Sequence, residues 1–153
     1  KGGLLLGICN GFQILCESGL LPGALLHNNN QKFICKNTFL KAYSASAGIT
    51  ENVNKNRAYK IPIAHGEGRY YAKKEVIEDL FEKDQVLFQY CDVNGKVSEN
   101  DNPNGSLKNI AGVSNKNKNV MGMMPHPERA VDALLGNTDG IPLFESLLNS
   151  SKA

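Results

Sequence analysis

The sequence predicts an α/β domain, and three observations carry that prediction. A wholly apolar run, Leu4 to Ile8, ends in a glycine-flanked cysteine and leads into a stretch with helical apolar spacing. A second stretch, Lys74 to Lys83, repeats apolar residues at helical intervals through Val76, Ile77, Leu80 and Phe81. Strand-like runs bounded by Gly, Pro and Asn turns lie between and after them. With no internal repeat and no dividing linker, residues 1–153 read as one domain.

In chain order, Leu4 to Ile8 is a short buried strand and Asn10 to about Ser18 a helix, stopped by Gly19 and Pro22. Phe33 to Tyr43 reads as a long strand, and Ser44 to Asn56 as a polar loop. Ile61 to Ala64 is a short strand that runs into His65-Gly66-Glu67-Gly68-Arg69. After the Lys74 to Lys83 helix, Gln85 to Val93 alternates as a strand does, and Asn94 to Leu107 is rich in turn residues. Ile110 to Val113 and Val120 to Met124 read as paired strands joined by the polar run Ser114 to Asn119. A loop from Pro125 to Arg129 and a closing helix from about Pro142 to Leu148 complete the chain.

The charge balance excludes several function classes. Seventeen basic and fifteen acidic residues (Lys+Arg 17, Asp+Glu 15) leave a net charge of +2, with the basic residues scattered. That argues against nucleic acid and against an anionic membrane surface. No apolar run has membrane-spanning length, and no secretory signal is visible. None of the four cysteines, Cys9, Cys16, Cys35 and Cys91, forms a C-x-x-C pair, so no zinc or other metal site is expected. Free thiols in a reducing cytoplasm are the favoured reading, with Cys16, Cys35 and Cys91 as packing residues.

The segment Gly7-Ile8-Cys9-Asn10-Gly11-Phe12-Gln13 carries the first chemical signal. A strand, a sharp turn and a helix put the thiol at the carboxyl end of a strand, where α/β folds bind ligands. The same geometry serves serine as the nucleophile elbow. Gly7 and Gly11 fit a bend with no room for Cβ atoms. The first N–H groups of the helix lack intrahelical partners, favour a thiolate, and can hold an oxyanion, Asn10 N–H foremost. The competing reading is a buried cysteine after a strand.

A cysteine nucleophile wants a base, and the base an orienting group. Of the three histidines, His27 has no nearby acid in sequence, and His65 sits among glycines with Glu67 and Arg69. His126 follows an apolar strand and precedes Pro127, which pushes it toward extended geometry. On an extended backbone Glu128 points the same way as His126 and can accept from one ring nitrogen while the other faces Cys9. The alternative is a solvated loop with a surface ion pair. Glu67 and Arg69 can read a charged group such as an amino acid's ammonium and carboxylate, or form a turn with a surface ion pair. Asn102 to Ser106 reads as a rigid structural turn, and Met121, Met123 and Met124 as core.

These residues resemble the nucleophile segment of class I, triad-type glutamine amidotransferases. More narrowly, the chain is similar to the glutaminase subunits of phosphoribosylformylglycinamidine synthases, which act in purine biosynthesis. Further segments carry the likeness: Leu21-Pro22-Gly23-Ala24-Leu25-Leu26, Ile61 to Tyr70, Asn102 to Ser106, and Met123-Met124-Pro125-His126-Pro127-Glu128-Arg129-Ala130. The resemblance implies a flavodoxin-like α/β fold with a mixed or parallel sheet flanked by helices. It implies a Cys9, His126, Glu128 triad that hydrolyses L-glutamine to glutamate and ammonia through a cysteine thioester. Gln13 matches the family's elbow glutamine, near the bound substrate. The resemblance also implies two partners: a large synthetase subunit, which uses ATP and magnesium to make formylglycinamidine ribonucleotide from the ammonia, and a small third subunit. It implies no cofactor on this chain.

Family members carry strands before the elbow and a glycine-rich loop with a second oxyanion donor, and neither is seen ahead of Lys1-Gly2-Gly3. The chain is therefore expected to lack its N-terminal part. Loss of one oxyanion donor costs about 3 kcal/mol, so the 153-residue chain alone is expected to be weakly active and poorly stable. The rival readings are a stand-alone γ-glutamyl thiol hydrolase, the glutaminase domain of a large single-chain synthase, and a non-catalytic assembly subunit.

Overall fold

The computed structural model describes residues 3–150. Eight strands and three helices follow in the order β1 (Leu5–Ile8), α1 (Asn10–Glu17), β2 (Ala24–Leu26), β3 (Ile34–Ala42), β4 (Ala58–His65), β5 (Arg69–Tyr71), α2 (Lys74–Glu82), β6 (Val86–Cys91), β7 (Ile110–Ser114), β8 (Val120–Met123) and α3 (Ile141–Ser150). Six strands form one mixed sheet in the order β1-β8-β7-β6-β3-β4. Its β1/β8 pair is parallel and the other four pairs are antiparallel. A separate antiparallel pair joins β2 to β5.

Sequence pattern explains which strands lie where. In β4, Tyr59, Ile61, Ile63 and His65 alternate inward, as a strand with one covered face requires. β7 and β8 are buried at every residue and read as near-continuous small and apolar runs, because both of their faces are covered. On one face, Leu40, Ile61, Ile63, Phe88, Tyr90, Met121 and Met123 pack with Ile49 of the loop and Leu143 of α3. On the other, Val86, Ile110, Val113 and Val120 pack beneath Phe12 and Leu15 of α1 and Ile77 and Leu80 of α2. Gly122 makes the α1 contact possible: a Cβ there would stand 2.2 Å from the Phe12 ring. Ser146 pins α3 by donating to the Gly48 carbonyl at 2.6 Å and accepting from Asn52 N–H at 2.9 Å.

The sheet curls. β4 is its far edge from β1, yet the Pro62 carbonyl of β4 accepts the His126 N–H, just past β8, at 2.8 Å. Proline suits that edge position, since it has no N–H to lose from a ladder.

The expected mixed sheet with flanking helices is thus present, and several local expectations need correction. β4 starts at Ala58, earlier than its apolar stretch suggested. β2 and β5 have no counterpart among the expected strands, because three residues carry no periodicity. Cys35 is exposed rather than packed: it lies near the end of β3 where that strand extends past the core. His27 does have an acid near it, with Glu67 Oε1 at 3.3 Å from Nε2 in an exposed pair brought together by the β2/β5 pairing.

Candidate active site

Cys9 occupies the turn between β1 and α1 with φ 52° and ψ −109°. That backbone is uncommon for a residue with a Cβ and costs on the order of 1–3 kcal/mol, so the surroundings must hold it. They do so from both sides. Cys9 N–H donates to the Met123 carbonyl at 2.8 Å, and its own carbonyl accepts from Phe12 and Gln13 in the first turn of α1. Gly7 allows the bend, since a Cβ there would lie 2.7 Å from the Gly11 carbonyl group and 2.5 Å from Leu15 Cδ1. Gly11 is different from expectation: a Cβ there meets nothing within 4 Å, so this glycine borders open space rather than a tight bend.

The thiol is half buried and donates to the Ala64 carbonyl at 3.7 Å. Burial pushes its pKa above the ordinary value. Asn10 N–H at the start of α1 and the Arg129 guanidinium act the other way, while the Glu128 carboxylate adds to the rise. The helix end therefore favours the thiolate as expected, and desolvation outweighs it.

His126 stands at the end of the neighbouring strand. The parallel β1/β8 register pairs Ile8 with Met123, so Cys9 and His126 leave adjacent strands at the same end. Two carbonyls of β4 then fix the pair, Ala64 facing the thiol and Pro62 taking the His126 N–H. The ring is buried, and its Nδ1 lies 2.6 Å from Glu128 Oε1. A carboxylate accepts only, so Nδ1 carries the proton and Nε2 presents a lone pair. That Nε2 is buried and has no hydrogen-bond partner among the described residues. The route by which Glu128 arrives differs from expectation. His126 itself is non-helical (φ −105°, ψ 82°), but Pro127–Arg129 form a 3-10 turn that swings the carboxylate back. Arg129 Nε lies 3.7 Å from the same carboxylate oxygen.

The side chains of Gln13 and Arg69 hydrogen-bond to other segments. Gln13 Nε2 donates to the Glu67 carbonyl at 2.6 Å and ties α1 to the His65–Arg69 loop. Arg69 Nε donates to the His27 carbonyl at 3.0 Å, bracing the β2/β5 pair. No contact brings either side chain to Cys9 or His126 among the described residues.

Sequence reasoning missed a buried polar cluster behind the site. His65 is 3% exposed; its Nδ1 donates to Asn28 Oδ1 at 3.0 Å and its Nε2 faces Asn104 Nδ2 at 3.5 Å. The amide of Asn28 is oriented by donating to the carbonyls of Lys32 and His65, which leaves its oxygen for the ring. Burial pulls the His65 pKa down to about 4 against the pull of a backbone hydrogen bond, and protonation of His126 would push the same way as burial. It is thus neutral at pH 7 and poorly placed to act as a base. Gly68 belongs to this cluster because a Cβ there would stand 2.3 Å from the His65 ring. The Asn102–Ser106 turn is structural, as expected, and its Asn104 and Ser106 are buried. Only the Gly-rich spacing around His65 hinted at any of this.

Among the described residues, no group of three or more His, Cys, Asp or Glu side chains is arranged to hold a metal ion. No helix among them is long and apolar enough to cross a membrane. What the arrangement offers is a strained, half-buried thiol at a helix N-terminus and, at the same end of the adjacent strand, an imidazole whose tautomer is set by a carboxylate. That is the equipment of acyl transfer through a cysteine.

Comparison with known proteins gives the family. The model of the CobB/CobQ-like glutamine amidotransferase domain matches residues 1–140. The chain is 55% identical over 150 residues to phosphoribosylformylglycinamidine synthase subunit PurQ of Chlorobium chlorochromatii, covering 98% of this chain and 64% of that protein. It is 53% identical over 149 residues to the subunit of the same name from Aquifex aeolicus, covering 97% and 66%. A chain in the structure of PurLQS from Thermotoga maritima superposes with a TM-score of 0.81 at 45% identity, over 97% of this chain and 62% of that one. The chain thus spans just under two thirds of the length of these relatives. The chain belongs to the CobB/CobQ-like glutamine amidotransferase domain family.

Proposed function

We propose that this chain is the glutaminase part of a phosphoribosylformylglycinamidine synthase, and that Cys9, His126 and Glu128 carry its chemistry. The observation that carries the reading is the 2.6 Å Glu128–His126 contact, which leaves Nε2 buried and unpartnered at the strand end beside Cys9. Cys9 Sγ adds to the side-chain amide carbon of L-glutamine, and its proton passes to His126 Nε2. The resulting oxyanion faces Asn10 N–H. When the intermediate collapses, the C–N bond breaks and Nε2 returns the proton to the departing nitrogen, giving ammonia and a glutamyl thioester on Cys9. A water then adds to the thioester with its proton going to Nε2. The C–S bond breaks, the sulfur is reprotonated, and glutamate leaves. Gln13, through its tie to the Glu67 carbonyl, holds the loop over α1 in register.

In this reading the ammonia passes to a large synthetase subunit that uses ATP and magnesium, with a small third subunit in the same assembly, and this chain itself binds no cofactor. The names of the relatives, a synthase subunit and a member of a PurLQS structure, support a multi-subunit synthase. Free thiols at all four cysteines fit a reducing cytoplasm. The test is reconstitution with the synthetase. Cys9→Ala abolishes glutamine-dependent formation of the amidine and leaves formation from added ammonia intact; loss of both contradicts the division of labour.

A further inference from the structure

One oxygen, Glu128 Oε1, meets two donors. His126 Nδ1 lies 2.6 Å from it and Arg129 Nε lies 3.7 Å from it. A carboxylate oxygen has lone pairs for both. The shorter contact is a hydrogen bond; the longer one is beyond hydrogen-bond length and acts through charge. Among the described residues, the Glu128 carboxylate and the Arg129 guanidinium have no other hydrogen-bond or ion-pair partner.

Glu128 has use for the second contact. The His126 ring is buried, but the Glu128 side chain is 44% exposed and stands on a three-residue 3-10 turn. A glutamate there has rotamers open to water, and holding one of them costs conformational entropy. Arg129 acts on it twice. Its N–H closes the turn by donating to the His126 carbonyl at 3.1 Å. Its guanidinium then draws the carboxylate oxygen that faces the ring. An exposed ion pair contributes little to stability, so this one matters through where it points Glu128.

Charge adds a second benefit. Behind burial and the Asn10 N–H, the charges that act on the Cys9 thiol are those of Arg129, which favours the thiolate, and Glu128, which opposes it. One guanidinium thus orients the carboxylate and offsets its effect on the sulfur.

We propose that Arg129 is a positioning residue: its guanidinium holds Glu128 against His126 and so keeps the ring in the tautomer with a free Nε2. Its part in glutamine cleavage rests on the glutaminase reading above.

The experiment is heteronuclear NMR of the full chain with isotope-labelled histidine, recorded above the histidine titration range so that the ring is neutral. Arg129→Met keeps the unbranched stem and the backbone N–H and removes the charge. The His126 ring nitrogens then move from the shifts of a single Nδ1–H tautomer toward an average with the Nε2–H form. Arg129→Lys restores the parent shifts, because a contact at 3.7 Å works through charge and not through the planar fork. In the reconstituted synthase, Arg129→Met lowers glutaminase kcat about fivefold with KM unchanged, the size expected of one exposed ion pair. Arg129→Lys recovers most of that loss, and the melting temperatures of both variants stay near that of the parent. Ring shifts that ignore Arg129→Met overturn the proposal, as does a kcat loss that Arg129→Lys does not reverse, or an active synthase whose kcat is unchanged. The NMR needs no glutamine. A tautomer that responds to Arg129 in an assembled synthase unable to hydrolyse glutamine would refute the glutaminase reading and leave the positioning role standing.

Discussion

Glu128 Oε1 lies 2.6 Å from His126 Nδ1, and the contact is made by a 3-10 turn rather than by an extended strand. The carboxylate fixes the tautomer that leaves Nε2 able to accept a proton, and it balances the imidazolium once formed. Replacing Glu128 with Gln keeps the shape and loses the charge. Glutaminase kcat should fall about 100-fold or more, with KM little changed. Steady-state kinetics in the reconstituted enzyme check this, and an unchanged kcat would mean that Glu128 is only a surface partner of Arg129.

The strain at Cys9 can be measured directly. A backbone at φ 52° and ψ −109° is unfavourable for any residue with a Cβ and open to glycine. Cys9→Gly should therefore be more stable than Cys9→Ala by about 1 kcal/mol, despite glycine's larger entropy loss on folding. Urea denaturation of the two inactive variants makes the comparison. Equal midpoints would mean that the turn is relaxed.

The two glycines of the turn should behave oppositely. A Cβ at Gly7 collides with the Gly11 carbonyl group, which cannot move without disturbing α1, so Gly7→Ala should cost about 1–3 kcal/mol. At Gly11 the same change enters open space on a helix, and should raise stability by about 0.5–1 kcal/mol. Thermal melts of both variants decide the matter.

His65 gives an acid limb to stability. Its folded pKa lies near 4, below the ordinary value of 6.5, so between those values the unfolded chain binds more protons than the folded one. Its contribution is complete above pH 6.5 and is lost as pH falls toward 4, amounting to about 3 kcal/mol. Urea midpoints across that window should drop in the parent chain and flatten in His65→Gln. A parent chain with no drop would mean that the ring charges without opening the cluster.

Much of the site was legible in the sequence because it is written in local signals. An apolar run ending in Gly-Ile-Cys-Asn-Gly specifies a strand, a turn and a helix, and prolines on both sides of His126 fix where the strand β8 stops. Both chemical groups fall at strand ends, which is where periodicity is most readable. The supporting cluster was not legible. Asn28 lies in an asparagine run that looks like solvent-exposed loop, yet it is fully buried, because His65 and Gly68 from a distant segment satisfy it. Tyr90 falls in a strand buried on both faces, where alternation cannot tell which face a side chain serves. The short β2 and β5 strands exist only through each other, so the His27–Glu67 pair could not be seen from either segment.

Labelling with a glutamine analogue that carries an electrophilic ketone, in the assembled synthase, tests most directly whether the imidazole activates the sulfur. The account predicts a single adduct on Cys9, formed at least about 100-fold more slowly when His126 is replaced by Ala. Labelling that goes to another residue, or that proceeds at the same rate without the His126 ring, would contradict it.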